Sequence, residues 1–143
     1  MILFPSKVFI GQLQRGSVIK FSHPKFPDKP HFFIVLNINP SKDGFLLLLA
    51  STTNTDTIKE IIDRQKHLGR GYIFVKTSEY QCFDRDSYIK CHKAYPFEIG
   101  ELKKIYERGL VELKDSLPQG LIDKVLKGCL DSPMFKPKYK KYL

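Results

Sequence analysis

Two apolar runs, HFFIVLNI (31–38) and FLLLLAST (45–52), are separated only by NPSKDG (39–44), which holds a proline, an aspartate and a glycine. The runs are rich in aromatic, β-branched and leucine residues, and two strands joined by such a turn form a hairpin. A third strand signal, GSVIKF (16–21), precedes them. Between it and the hairpin lies SHPKFPDKP (22–30), in which three prolines and Asp28 make an irregular loop crowded with His23, Lys25 and Lys29.

After residue 52 the period changes. In TNTDTIKEIIDRQKHLGRG (53–71), Thr57 and Glu60 match a capping box, Ile58, Ile61 and Ile62 share a face, and Gly69 supplies a stop, which predicts a short helix. YIFVKT (72–77) returns to strand, and PFEIGELKKIYERG (96–109) reads as extended and then helical. In DSLPQGLIDKVLKGCLDS (115–132), Ser116 with Gln119 forms a second capping box and Pro118 suits a first turn. Leu121, Ile122, Val125, Leu126, Cys129 and Leu130 follow as one stripe at helical period.

About five short strands with two helical inserts predict a mainly β (α+β) chain, a small and strongly curved antiparallel barrel closed or capped by the C-terminal helix. Residues 1–134 form one domain. The tail FKPKYKKYL (135–143) interleaves lysines with aromatics and reads as either a frayed extension or an added RNA-contact arm, removable without unfolding the domain. Barrels of this size fill their interiors with side chains, so function is expected on the outer surface or in rim loops.

The segment DSYIKCHKAY (86–95) reads as a strand whose even positions carry Tyr88, Lys90 and His92, and whose odd positions carry Ile89 and Cys91. Alternation would project Lys90 and His92 together. Two readings stand: a solvated strand face, or a proton-transfer group beside a cation. Thr52 and Thr53 similarly read first as a strand end entering a helix cap.

Charge narrows the partners. With 24 Lys+Arg against 15 Asp+Glu, the net charge is +9, a field that attracts phosphate polymers and acidic proteins. No apolar run approaches the length of a membrane span, and MILFPSKVFIGQ has no leader-like cleavage pattern. Cys82, Cys91 and Cys129 are odd in number without a C-x-x-C pair, which argues for packing thiols in a reducing cytoplasm and against a zinc site. Nucleotide-loop, nucleophile-elbow and zincin motifs are absent, and the few carboxylates are mostly flanked by lysine, so neither metal nor cofactor is expected.

Cleaving RNA without metal takes a base for the 2′-OH, an acid for the departing 5′-oxygen, and cations for the growing phosphorane charge. His92 with Lys90, together with His23, Lys25 and Lys29, offers these parts. His31 and His67 are read as structural or solvent-exposed.

Laid in order, the segments resemble the MazF/PemK family of toxins from bacterial toxin–antitoxin pairs. GSVIKF stands at the family's first strand, KPHFFIVLN at its R-P-x-x-V-[IL], and LLLASTT at its apolar strand ending in threonine. FDRDSYIKCHKAYPF, IGELKK and LPQGLIDKVLKGCLDS follow as its later strand, K-I-G-x-L continuation and closing helix. The resemblance covers about residues 16–131.

It implies an SH3-like barrel and a metal-independent, sequence-selective endoribonuclease leaving a 2′,3′-cyclic phosphate. It further implies a homodimer that acts on single-stranded RNA and is silenced by an acidic antitoxin. On this reading Lys29 stands for the catalytic arginine, and His23 for a loop histidine of some members. Thr52 stands for the strand-end threonine, and Lys90 and His92 for an arginine–aspartate pair of the PemK-like branch. Lys25, Thr53, Tyr88 and Lys93 would contact RNA. Lysine in place of arginine loses the planar two-bond grip on phosphate. Two other readings keep the elements: a non-catalytic barrel that binds a protein target, as gyrase-poisoning toxins do, and an SH3-like RNA- or protein-binding module.

Overall fold

The computed structural model describes residues 4–143, with Arg70 described by its backbone alone. Residues 1–3, on which the absence of a leader was partly read, lie outside the described residues.

Strand β3 (Phe45–Thr52) runs through the middle of the molecule. Leu46, Leu48 and Ala50 enter one hydrophobic core, while Leu47 and Leu49 enter another on the opposite face. A strand covered on both faces has no wet side, which is why this run is apolar almost throughout. Its partners are β2 (His31–Val35) and β5 (Ser87–Glu98). Outside these lie β1 (Val18–Phe21), β6 (Glu112–Lys114) and β4 (Tyr72–Val75). All pairings are antiparallel, in the order β4-β5-β3-β2-β1-β6.

The chain is therefore α+β, with a six-stranded sheet that is not closed. The mainly β expectation is corrected by composition: helix, at 39%, exceeds strand, at 26%. Where a barrel interior was expected, helices pack on both faces of an open sheet. α5 (Gln119–Asp131) lays Leu121, Val125 and Cys129 on the face of Val18, Phe32, Ile34, Leu47 and Ile89. α1 (Ser6–Gln12) and α4 (Ile99–Glu107) cover the other face with Phe9, Ile10 and Leu102. Phe9 stacks on Tyr106 at 4.0 Å between ring centroids, tying α1 to α4.

Several boundaries move. The 39–44 turn contains a one-turn helix, α2 (Pro40–Asp43), capped by Asn39 and ended by Gly44 at φ 82°. α3 (Thr55–Arg64) starts before the expected Thr57 cap, and Thr57 Oγ1 instead donates to Asn54 Oδ1 at 3.0 Å. α5 starts at Gln119 without a side-chain cap, and Leu130, expected in its apolar stripe, is exposed. α1 and β6 carried no strong local signal. Among the described residues no helix is long and apolar enough to cross a membrane.

The tail is not a loose extension. Phe135 is buried in the α5-side core, and Pro137–Tyr142 forms a 3-10 turn. Arg15 donates to the Leu36 carbonyl at 2.7 Å and to the Tyr142 carbonyl at 2.6 Å, stitching the tail to the start of the sheet.

Candidate nucleic-acid interface

The register brings five strand ends to one end of the sheet. Phe21 pairs with His31, Thr52 with Tyr88, and Val75 with Ser87. The loops 22–30 and 76–86 both leave from there.

On the α5 side of that end lies an open groove of about 400 Å³, lined by Lys20, Lys29, Pro30, Phe32, Thr53, Asp84 and Arg85. Its floor is apolar, with Lys20 Nζ 5.0 Å from the Phe32 ring centroid. Lys20 also pairs with Asp84 at 3.6 Å. Lys29 and Arg85 make no ion pair among the described residues, so the groove carries an excess of two positive charges. Thr53 faces this groove. Thr52, expected as the functional threonine, instead accepts the Asn54 N–H at 3.2 Å and shapes the entry to α3.

The opposite side of the same sheet end carries a second basic surface. It is built on β5, whose register slips: Ile89 pairs with Ser51 and Ala94 with Leu49, so Lys90, Cys91, His92 and Lys93 together oppose the single Ala50. This bulge breaks the expected alternation. Ile89 and Cys91 face the α5-side core, but beyond the slip so does Ala94, while Tyr95 and Phe97 turn to the other. Bulges re-aim side chains in this way.

Loop residue Phe26 packs edge-on against Tyr95 at 5.4 Å, and lysines ring the pair. Lys25 Nζ and Lys93 Nζ lie 5.4 and 5.2 Å from the Tyr95 centroid, and Lys90 Nζ lies 5.9 Å from that of Phe26. None of the three pairs with a carboxylate among the described residues. Burial lowers the Lys90 pKa, and the like charge of Lys93 lowers it further.

His92 leans on Tyr72, with ring centroids 4.9 Å apart, and its Nδ1 is buried without a partner. Burial is the main cause lowering its pKa. The Gly71 backbone acts against this, and Lys90 and Lys93 reinforce it. The result favours a neutral imidazole.

Two expected contact residues are not available to a ligand. His23 is only 4% exposed, enclosed by Phe21, Phe26, Phe33, Tyr95 and Phe97. It holds the loop rather than reaching into solvent. Tyr88 is buried beneath Phe74, at 5.0 Å between centroids. His31 lies 3.7 Å from Asp28, and His67 is exposed. Cys91 and Cys129 are packing residues of the α5-side core, and Cys82 is half-buried. Among the described residues no three His, Cys, Asp or Glu side chains gather as a metal site.

Of the residues expected to act together, Lys29 and Thr53 share one groove, and Lys25, Lys90, Lys93 and His92 cluster elsewhere. The sheet lies between the groove and the three lysines, while His92 stands at the β4 edge against Tyr72 and Gly71, near Ser132 at the end of α5. Lys20, Phe32, Arg85, Phe26 and Tyr95 were missed, because only the folded pairing of β1, β2 and β5 with the two loops gives them a common address.

These features define a class: an open-sheet α+β domain with cationic, aromatic-floored surfaces on both sides of one sheet end. No protein-family model matches the chain, and a search of the curated proteins finds no match.

Proposed function

We propose that this chain binds single-stranded RNA across the basic end of its sheet and cleaves it without metal, as the toxin of a toxin–antitoxin pair. One observation carries the reading. Lys29 and Arg85 on one side, and Lys25, Lys90 and Lys93 on the other, converge from distant segments without carboxylate partners among the described residues. Phosphate supplies the missing counter-charge, and the half-buried Phe26 and Tyr72 supply apolar faces for bases.

In this scheme His92, kept neutral by burial, takes the 2′-OH proton. The 2′-oxygen then attacks phosphorus and the bond to the 5′-oxygen breaks, leaving a cyclic phosphate. Lys90, whose hold on its proton is weakened, protonates the departing oxygen, and Lys93 balances the phosphorane charge. The free thiols suit a cytoplasmic setting. An acidic antitoxin and a second copy of the chain complete the system.

The separation of Lys29 from Lys90 and Lys93 by the sheet favours a second reading, a non-catalytic binder with the same surfaces. Incubating the purified protein with a long RNA in EDTA tells them apart. Fragments with cyclic phosphate ends, lost in His92→Ala, support cleavage. Intact RNA together with growth arrest on induction overturns it in favour of the binder.

A further inference from the structure

Far from the basic sheet end, the docked tail builds a groove of its own. Phe45, Pro96, Lys138, Tyr139, Lys141 and Tyr142 enclose about 230 Å³. Phe45 opens β3 and Thr52 closes it, so seven strand steps, about 24 Å, separate this groove from the Lys29–Thr53 groove. Phe45, Tyr139 and Tyr142 pack on the α5-side core, the same side of the sheet as Phe32 in the first groove.

The tail is held rigidly. Tyr142 meets Phe45 edge-on at 5.2 Å, its carbonyl accepts from Arg15, and Phe135 is buried. Pinned this way, Lys138 Nζ lies 5.1 Å from the Tyr139 ring centroid and Lys141 Nζ lies 5.2 Å from that of Tyr142. No lining residue is acidic, and neither lysine forms an ion pair among the described residues. Half-buried tyrosines beside unpaired lysines are the composition of a stacking platform for a phosphate-linked strand.

We propose that this groove is a distal contact for single-stranded RNA, engaged only by strands long enough to reach it from the basic sheet end. The inference rests on the RNA reading above and adds a length requirement to it. At a stacked rise of about 3.4 Å per nucleotide, 24 Å sets a minimum of about seven nucleotides, because the strand must pass around α5, which covers this face of β3. Ordering the tail before binding removes the entropic cost that a loose arm would bear.

The test measures fluorescence anisotropy of labelled 2′-O-methyl oligoadenylates of four and of twelve nucleotides, which have no free 2′-OH to react. Wild type is compared with Lys138→Ala/Lys141→Ala between 50 and 200 mM salt. The expected result is several-fold weaker binding of the 12-mer and a salt slope shallower by about 1.4, at about 0.7 per lost phosphate contact, with the 4-mer unchanged. Equal 12-mer affinity in both proteins overturns the distal contact while leaving the RNA reading intact. Equal losses for both lengths also overturn it, placing the tail within the primary contact. Failure of wild type to bind either oligonucleotide overturns the RNA reading itself. A Lys138→Arg/Lys141→Arg variant with restored 12-mer affinity supports charge, rather than tail shape, as the cause.

Discussion

His23 Nδ1 accepts the backbone N–H of Lys25 at 3.0 Å, so in the neutral ring the proton resides on Nε2, which is buried among aromatic rings without a polar partner. Burial lowers the His23 pKa and Lys25 lowers it further. The unfolded chain therefore binds the proton more readily than the folded one. Stability is fully present above the ordinary histidine pKa of about 6.5 and falls as pH drops toward the lowered folded value. His92 acts in the same direction. Urea unfolding from pH 8 to pH 5 should show this loss, and His23→Phe, which keeps the aromatic packing, should flatten part of the slope. An unchanged pH profile would contradict the buried, neutral histidine.

Asn37 is fully buried and spends its whole side chain on the hairpin turn. Its Nδ2 donates to the Phe45 carbonyl at 2.8 Å and to Asp43 at 3.0 Å, and its Oδ1 accepts the Leu47 N–H at 3.0 Å. Asn37→Leu strands two backbone groups and should cost about 3 kcal/mol. The measurement is a lower urea midpoint at unchanged m.

Phe135 is 2% exposed and joins the tail to the α5-side core. Phe135→Ala should destabilise the whole chain by about 3–5 kcal/mol. Deleting 135–143 should likewise lower stability rather than leave the domain intact, against the expectation from the tail's composition. A deletion variant with wild-type unfolding would show that the docking contributes nothing.

Thr52 and Thr53 are adjacent but differ in role. Thr52 holds the Asn54 N–H, so Thr52→Ala should cost about 1 kcal/mol of stability and leave RNA affinity alone. Thr53 lines the groove beside Lys29, so Thr53→Ala should weaken RNA retention at unchanged stability. Filter binding and thermal melts on both variants provide the comparison, and a reversed pattern would refute the assignment.

Lys29 and Lys93 lie on opposite sides of the sheet end. If one RNA strand crosses that end, Lys29→Ala and Lys93→Ala should each reduce the salt slope by about 0.7, and the double variant by about twice that. A silent Lys29→Ala would confine RNA to the β5 bulge.

The residues alone determined where the long strands and the last helix lie, though not their caps or the short α1, α2 and β6. Alternating and continuous apolar runs marked β2, β3 and β5. The 3.6-residue stripe through Leu121, Val125 and Cys129 marked α5. Tertiary structure alone decided which side each residue serves. A continuous run such as FLLLLAST looks the same inside a barrel as between two helical layers, and only α1, α4 and α5 distinguish the cases. The slip opposite Ala50 redirected β5 beyond Lys90, the loop closed over His23, and the sheet came between Lys29 and Lys93. Those outcomes are set by contacts between residues dozens of positions apart, whereas period and propensity carry information only across a few.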